Sequence, residues 1–446
     1  MADAAGPVPL THRRVLHIAL PIVLSNATVP ILGAVDTAVV GQMGLPEPIG
    51  AVGIGAIVLT AVYWIFGFLR MGTTGLVAQA TGAGDAPEAS AILSRALMIG
   101  AAGGLAVIAL QLPLFRLGFA LSPASDEVER LAESYMAIRV WSAPAMISLY
   151  GLTGWLIAQE RTRAVLGIQL LMNGLNIGLD LLFVLGLGWG VEGVAVATFI
   201  AEWSGLALGL WFCRDAFASG HWRDWPRVFD AVRLKRMAGV NADILLRSAL
   251  LQAAFVSFLF LGARFGDVTL AANQVLLQFL NITAYALDGF AFAAEALVGQ
   301  AMGARARGRL RRAAGMASIW GGGLGLALAA GFLAAGPAII DTMTTAPEVR
   351  EAARTYLPWM VAAPVVGAAS WMLDGIFIGA TRTRDMRNMM ALSFAGYLGL
   401  LALLMPAYAN HGLWAAFLGF FALRGVTLGL RYSALEAEAD AGAAKS

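Results

Sequence analysis

The chain of 446 residues has one cysteine, Cys213. A lone thiol excludes disulfides within the chain and metal centres built from several thiolates. Charge is scarce too: Asp, Glu, Lys and Arg make up 13% of the residues, about half the share found in soluble domains. There are four histidines, His12, His17, His221 and His411, all at the ends of apolar runs or in loops, so a chain of imidazoles inside a membrane is excluded. The phosphate-loop pattern ending in Gly-Lys-Ser/Thr is missing, which argues against ATP hydrolysis. The Gly-rich stretches "GAVGIGA" and "GGGLGLALAAG" lie inside apolar runs rather than between a strand and a helix, and close helix packing accounts for them better.

What is abundant is apolar surface: 59% of the residues are hydrophobic. Apolar stretches of 20 or more residues recur from end to end, each long enough for a bilayer core of about 30 Å. They are continuous rather than alternating, which selects helices over a β-barrel. The fold class expected is an all-α polytopic membrane protein with twelve transmembrane helices, near 15–43, 48–80, 90–117, 126–150, 162–187, 191–214, 236–263, 269–302, 312–337, 347–373, 385–408 and 411–432. The first run is read as a retained spanning helix rather than a cleaved signal, since no small-residue cleavage site follows it. Prolines 21, 30, 144, 358 and 364 fall within spans and are candidate kinks.

Arginines crowd alternate loops (Arg161 and Arg163; Arg305 to Arg312; Arg382 to Arg387), whereas the opposite loops carry acids such as Glu47 and Asp126. The positive-inside rule then places the basic loops and both termini in the cytoplasm. Shifting the sequence by 221 residues lays "LVAQATGA" (76–83) on "LVGQAMGA" (297–304), and "TGWLIAQERTR" (153–163) on "DGIFIGATRTR" (374–384). A constant offset across distant blocks marks an internal repeat. The expected domains are a six-helix lobe over 1–214, a cytoplasmic connection over 215–235 read as a solvated linker, and a second six-helix lobe over 236–446. Six is even, so the lobes run parallel, which is transporter architecture with a cleft between pseudo-symmetric bundles.

The stretch "AVDTAVVGQM" (34–43) holds one carboxylate, Asp36, deep in an apolar run. Placing an ionised acid there costs at least ~2.5–3.5 kcal/mol, so a functional site is the default reading. In "LLMNGLNIGLDLLFVLGLGWG" the residues Asn173, Asn176 and Asp180 recur at i, i+3, i+7 and share a helix face. Counting at 1.5 Å per residue sets Asp36, Asp180 and Thr198 at one depth, about 10–13 Å below the outer surface. Two carboxylates, an amide and a hydroxyl at one level suit a small hard cation such as Na⁺, or equally a proton. At the 221 offset Asp36 falls on Ser257 and Asp180 on Leu401, so the titratable site belongs to the first lobe alone. Arg70 and Glu202 are further polar groups there. Asp243, Arg247, Asp288, Glu295 and Asp374 form a candidate charge network or gate in the second lobe, with Asp288 at a depth compatible with Arg247.

Taken together, "PIVLSN" (21–26), "VDTAVVGQMG" (35–44), "FGFLRMGTTGLVAQATGAGD" (66–85), "NGLNIGLDLLFVLGLGWGVEGVAVAT" (173–198), "NADILLRSALLQ" (241–252) and "DGIFIGATRTRDMRN" (374–388) resemble the multidrug and toxic compound extrusion (MATE) family, DinF-like branch, over nearly the whole chain. The resemblance implies secondary active export of amphipathic, often cationic compounds in antiport with H⁺ or Na⁺ by alternating access. It implies no enzyme activity and no cofactor beyond the coupling ion. The coupling cation then sits at Asp36, Asn176, Asp180 and Thr198, with Pro21 matching the family's helix-bending proline. The expected partners are small-molecule substrates and the lipid bilayer of the cytoplasmic membrane, with no nucleic acid and a single chain as the working unit. The alternatives are a lipid-linked oligosaccharide flippase of the same superfamily, which tends to a cationic cavity, and a non-transporting membrane assembly protein.

Overall fold

The structure is a computed structural model that describes residues 9–121 and 124–441. Among the described residues there is no strand. Among the described residues eleven helices are long and apolar enough to cross a membrane: α1 (His12–Gly41), α2 (Pro46–Gly82), α3 (Ala86–Ala109), α4 (Asp126–Ala158), α5 (Thr162–Gly186), α6 (Gly190–Phe212), α7 (Ala231–Phe265), α8 (Asp267–Gly303), α9 (Arg307–Met343), α10 (Pro347–Gly379) and α11, which begins at Thr383.

Twelve spans were expected. The difference lies in α11, which runs over Thr383–Ala441 for 59 residues, about 88 Å at the helical rise and far more than one bilayer crossing. Its backbone leaves the helical region at Ala409, where φ is 49°. Gly412 lets the chain fold back there, because a Cβ at that position would sit 2.2 Å from the Leu404 carbonyl oxygen. The segments on either side match the expected spans 385–408 and 411–432, so the twelve-span count stands. The turn is pinned from α8. Asn273 and Asn410 exchange amide hydrogen bonds of 2.8 and 3.0 Å, and the Trp414 indole donates to Asn273 at 2.9 Å.

The chain divides into two compact units. One comprises the N-terminal stretch through Val23, Ala78–Gly84 and the chain from Ala242 onward; the other comprises Leu24–Val77 and Asp85–Asn241. The helices α1, α2 and α7 therefore each contribute to both. The unit from Ala242 onward is centred on aromatic side chains. The Phe258 ring lies 4.4 Å from Trp414 and 4.6 Å from Phe417, centroid to centroid, with Phe279, Phe332 and Tyr397 in the same buried cluster.

In the other unit, glycines bring backbones together where lipid supplies no hydrophobic drive between helices. Gly100 and Gly104 of α3 lie one turn apart and face Ser148 and Pro144 of α4. A Cβ on Gly104 would fall 2.3 Å from Pro144 Cα, and one on Gly100 2.6 Å from Ser148 Cα. The connection after α6 is anchored rather than a free linker. Its short helices Arg214–Ala218 and Trp225–Val228 lead to buried Arg95 of α3, which donates to the carbonyls of Val228 at 2.8 Å and Arg227 at 2.6 Å and pairs with Glu88 at 2.8 Å. At its start Arg161 grips Asp215 with both terminal nitrogens, which holds the Asp215 carboxyl below the usual carboxylate range.

The Gly104 contact is with backbone and cannot be relieved by rotating a side chain. Gly104→Val is expected to cost about 1–3 kcal/mol through overpacking and to lower the thermal unfolding midpoint of the purified protein. Gly322→Ala, at a position where a Cβ meets nothing within 4 Å, is expected to leave that midpoint unchanged. Equal behaviour of the two variants would contradict the packing assignment.

Candidate functional site

The structure brings the four site residues reached from depth together inside one unit, on three helices. Asp36 comes from the second half of α1 and is half-buried. Asn176 and Asp180, at 1% and 0% exposure, come from α5, and Thr198, also buried, comes from α6. The Asp36 and Asp180 carboxyl groups are close neighbours, both within reach of the Asn176 amide. Asn176 lies between the acids and the hydroxyl. One face of its amide is 2.9 Å from Asp36 Oδ1 and 3.3 Å from Asp180 Oδ2; the other is 2.9 Å from Thr198 Oγ1. The Thr198 hydroxyl oxygen also lies 3.0 Å from the Val194 carbonyl oxygen.

The local backbone has a feature the sequence reading missed. Immediately after Asp180, Leu181–Gly186 winds as a π-helix, with the Leu187 N–H bonded to the Leu182 carbonyl at 2.9 Å. Such insertions are rare and concentrate at functional positions. Gly188 (φ 69°) and Gly190 (φ 62°) then turn the chain sharply into α6, a conformation that favours glycine. The "GLGWG" run thus lets two short, stiff segments deliver Asp180 and Thr198 to the same level.

Asn173 shares the α5 face but has a separate role. It accepts from Gln169 at 2.8 Å and donates to the Thr28 carbonyl of α1 at 3.4 Å, holding α5 against α1 near Pro30. Pro21 is buried in α1 within the other compact unit. Arg70 is half-buried on α2, and the close approach of its carbonyl to Gly154 places its backbone against α4.

Glu202 is not a ligand of the acidic pair. Its Oε1 accepts from Arg139 Nη2 at 2.7 Å, and both side chains are buried. Arg139 Nη1 donates to the Tyr135 hydroxyl at 2.7 Å, and the Tyr63 hydroxyl donates to the Arg139 carbonyl at 3.1 Å. Arg139 also lies within electrostatic range of Asp36 and Asp180, so the acids face a fixed cation. The sequence reading overlooked Arg139, Tyr135 and Tyr63. The signal was available: Arg139 is an arginine within the expected span 126–150, as anomalous in a membrane as Asp36. Three buried atoms here have no hydrogen-bond partner among the described residues: Asp180 Oδ1, Glu202 Oε2 and Arg139 Nε.

Among the second-lobe charges two clusters are clear. Asp243 accepts from Arg387 at 2.6 Å and from Thr383 at 3.0 Å. Asp374 accepts from both Arg247 and Arg424. Arg247 was expected near Asp288; its ion pair is with Asp374, because α10 brings that acid to it. Arg424, which the sequence reading passed over, stacks its guanidinium 5.3 Å from the Phe421 ring and 5.6 Å from Phe420. Asp288 and Glu295 each have an interaction partner, and Glu295 is buried. Among the described residues, no group of three or more His, Cys, Asp or Glu side chains is arranged to hold a metal ion.

Comparison with known proteins matches the MatE family model to residues 21–182 and again to 244–407, two copies close to the internal repeat. DNA damage-inducible protein F of Escherichia coli (strain K12) is 40% identical over 413 residues, covering 92% of this chain and 90% of that protein. A probable multidrug resistance protein NorM of Neisseria meningitidis serogroup B is 27% identical over 331 residues, covering 71% of this chain and 70% of the relative. The fold matches the crystal structure of the Vibrio cholerae MATE transporter VcmN in the bent form, with a TM-score of 0.86 and 21% identity, covering 96% of this chain and 98% of that one. By the double family match and its likeness to DNA damage-inducible protein F, the chain belongs to the MatE family of multidrug efflux transporters, which are not enzymes.

Proposed function

We propose that the chain is a secondary active exporter of amphipathic, often cationic organic compounds, working as a single chain in the cytoplasmic membrane with both termini inside, and driven by antiport with H⁺. Asp36, Asn176, Asp180 and Thr198 hold the coupling cation. The observation that carries this reading is the Asn176 amide between two carboxyl groups. With its nitrogen toward Asp36 and Asp180, the amide donates to both, which suits two ionised acids, and its oxygen accepts from Thr198. That orientation compensates the two acids only in part, which leaves room for a mobile cation at the pair.

The site thus converts cation occupancy into a rearrangement between α1, α5 and α6. A ligand moves a conformational equilibrium only through its differential affinity for the two states, and a carboxyl pair whose charge changes on binding supplies such a difference. The proton is favoured over Na⁺ because the nitrogen-in orientation spends the amide oxygen on Thr198. That leaves the cation two carboxyl groups and no further oxygen at the same face, whereas Na⁺ is a hard cation that seeks several oxygen ligands. The orphaned Asp180 Oδ1 is an acceptor available to an incoming proton. Neutralising the pair removes like-charge repulsion in a poorly solvated place, letting α1 change shape as the drug leaves outward. Release of the proton inside resets the site. The acidic character of the pair also argues against a flippase reading, which calls for a cationic cavity.

Efflux from cells carrying Asp36→Asn or Asp180→Asn is expected to fall at least about tenfold with unchanged protein in the membrane, because an amide cannot exchange the cation that biases the two states. Wild-type efflux in vesicles is expected to follow an imposed pH gradient and to ignore an imposed Na⁺ gradient. Efflux retained by both variants would overturn the site, and efflux driven by Na⁺ alone would overturn the ion. Thr198→Val removes one hydrogen bond to Asn176, worth ~1 kcal/mol, so it should weaken the dependence on the driving cation about fivefold while leaving maximal efflux largely intact.

Arg139 and Glu202 form the support beneath the site, and their coupling is measurable separately. Removing one partner of a buried ion pair leaves the other uncompensated, at a cost of ~3–5 kcal/mol. Arg139→Gln should therefore lower the unfolding midpoint markedly, and adding Glu202→Gln should restore most of it. No recovery in the double variant would mean that the pair is not the source of the loss.

A further inference from the structure

Away from the cation site, the basic end of α9 borders a cavity of about 380 Å³ lined by Arg311, Ala314, Gly315, Ser318, Leu373, Ile376 and Tyr432. The α9 residues among these are spaced i, i+3, i+4, i+7 and form one stripe, with α10 and α11 supplying the remaining walls. The stripe is hollow because its residues are small: a Cβ on Gly315 meets nothing within 4 Å. Farther along α9, Ile319, Leu326 and Leu333 are 67%, 62% and 71% exposed. That spacing marks a face turned to lipid tails, so an apolar slot ends at a guanidinium and a phenol.

The polar end carries unspent binding capacity. Arg311 is 79% exposed, and its one ionic contact is through Nε, 3.7 Å from Glu436 Oε1. Its two terminal nitrogens have no partner among the described residues. The same Glu436 is shared with Arg307 at 3.5 Å, and Arg307 also pairs with Asp440 at 3.1 Å. The Tyr432 hydroxyl makes a long 3.4 Å contact to Glu436. Arg312 adjoins Arg311 in the sequence and is exposed, which adds to the positive charge at this end of α9.

From this we infer that the pocket between α9, α10 and α11 is a binding site for an anionic phospholipid, its phosphate gripped by Arg311 and Tyr432 and an acyl chain lying along the Ala314–Gly315–Ser318 slot. A guanidinium fork matches two phosphate oxygens and adds geometric selection to attraction. Basic pockets between spanning helices at a membrane face take anionic headgroups for the same reason. The slot accounts for the apolar half of the cavity, which a free anion would leave unused.

The test uses the full-length protein purified in detergent, with phosphatidylglycerol, phosphatidylcholine and inorganic phosphate as probes, read by native mass spectrometry and by the shift in unfolding midpoint. Phosphatidylglycerol is expected to bind and raise the midpoint, with the other two giving little. Arg311→Gln is expected to weaken phosphatidylglycerol binding about tenfold, the loss of one charge-assisted bidentate contact, while Arg312→Gln, which removes equal charge outside the pocket, changes it less than about twofold. Gly315→Leu fills the slot without touching Arg311 and suits a helix better than glycine, so it should fold and also weaken binding about tenfold. Equal losses in Arg311→Gln and Arg312→Gln would reduce the effect to general surface charge and overturn the site. Binding of inorganic phosphate as tight as that of the lipid, or unchanged lipid binding in Gly315→Leu, would overturn the lipid assignment.

Discussion

Two carboxyl groups held side by side within membrane-spanning helices set the terms for everything around them. Neither water nor lipid can stabilise both charges there, so the protein must supply compensation from its own atoms or from a mobile cation. It supplies some of each. Arg139 provides a fixed positive charge within electrostatic range and is itself tied to Glu202 and Tyr135. The Asn176 amide supplies more by donating to both carboxyl groups. A fully compensated pair would be inert, and an uncompensated one would not fold into a membrane. The arrangement lies between these limits, which is the condition for binding and releasing a small cation.

Backbone devices place the pair where it is. The π-helical turn after Asp180 and the glycines of the α5–α6 turn let α6 return with Thr198 level with Asn176. The α3–α4 contact through Gly100 and Gly104 fixes α4, and so fixes Arg139. The other unit uses its charges differently. There Asp374 is held by two arginines and Asp243 by Arg387 and Thr383, so each acid already has cationic partners from the chain. The contrast is electrostatic: the acids of one repeat are only partly compensated by the chain, whereas those of the other are held in fixed ion pairs.

Much of this was legible in the sequence, for a definite reason. In a membrane every apolar run must be long and every charge is costly, so composition and charge placement carry more structural information than in a soluble chain. The spans, the repeat and the level shared by Asp36, Asn176, Asp180 and Thr198 follow from counting residues along helices. The form of the turn between the last two spans was not legible, because it depends on a left-handed φ at a non-glycine residue, Ala409, which the sequence pattern does not mark. Arg139 was overlooked although its anomaly was as visible as that of Asp36, and Arg424 likewise.

The amino-acid sequence alone determined that the chain is a bundle of membrane-spanning helices with one acidic site in its first repeat, because hydrophobic length and the cost of a buried charge act on each segment separately. Only tertiary structure decided which charges meet. Glu202 joins Arg139 rather than the acids, Arg247 joins Asp374 across 127 positions of sequence, and the connection after α6 is fastened to Arg95. Those pairings depend on how helices rotate and pack about one another, which no single segment specifies, since a helix presents every direction around its axis and its neighbours choose among them.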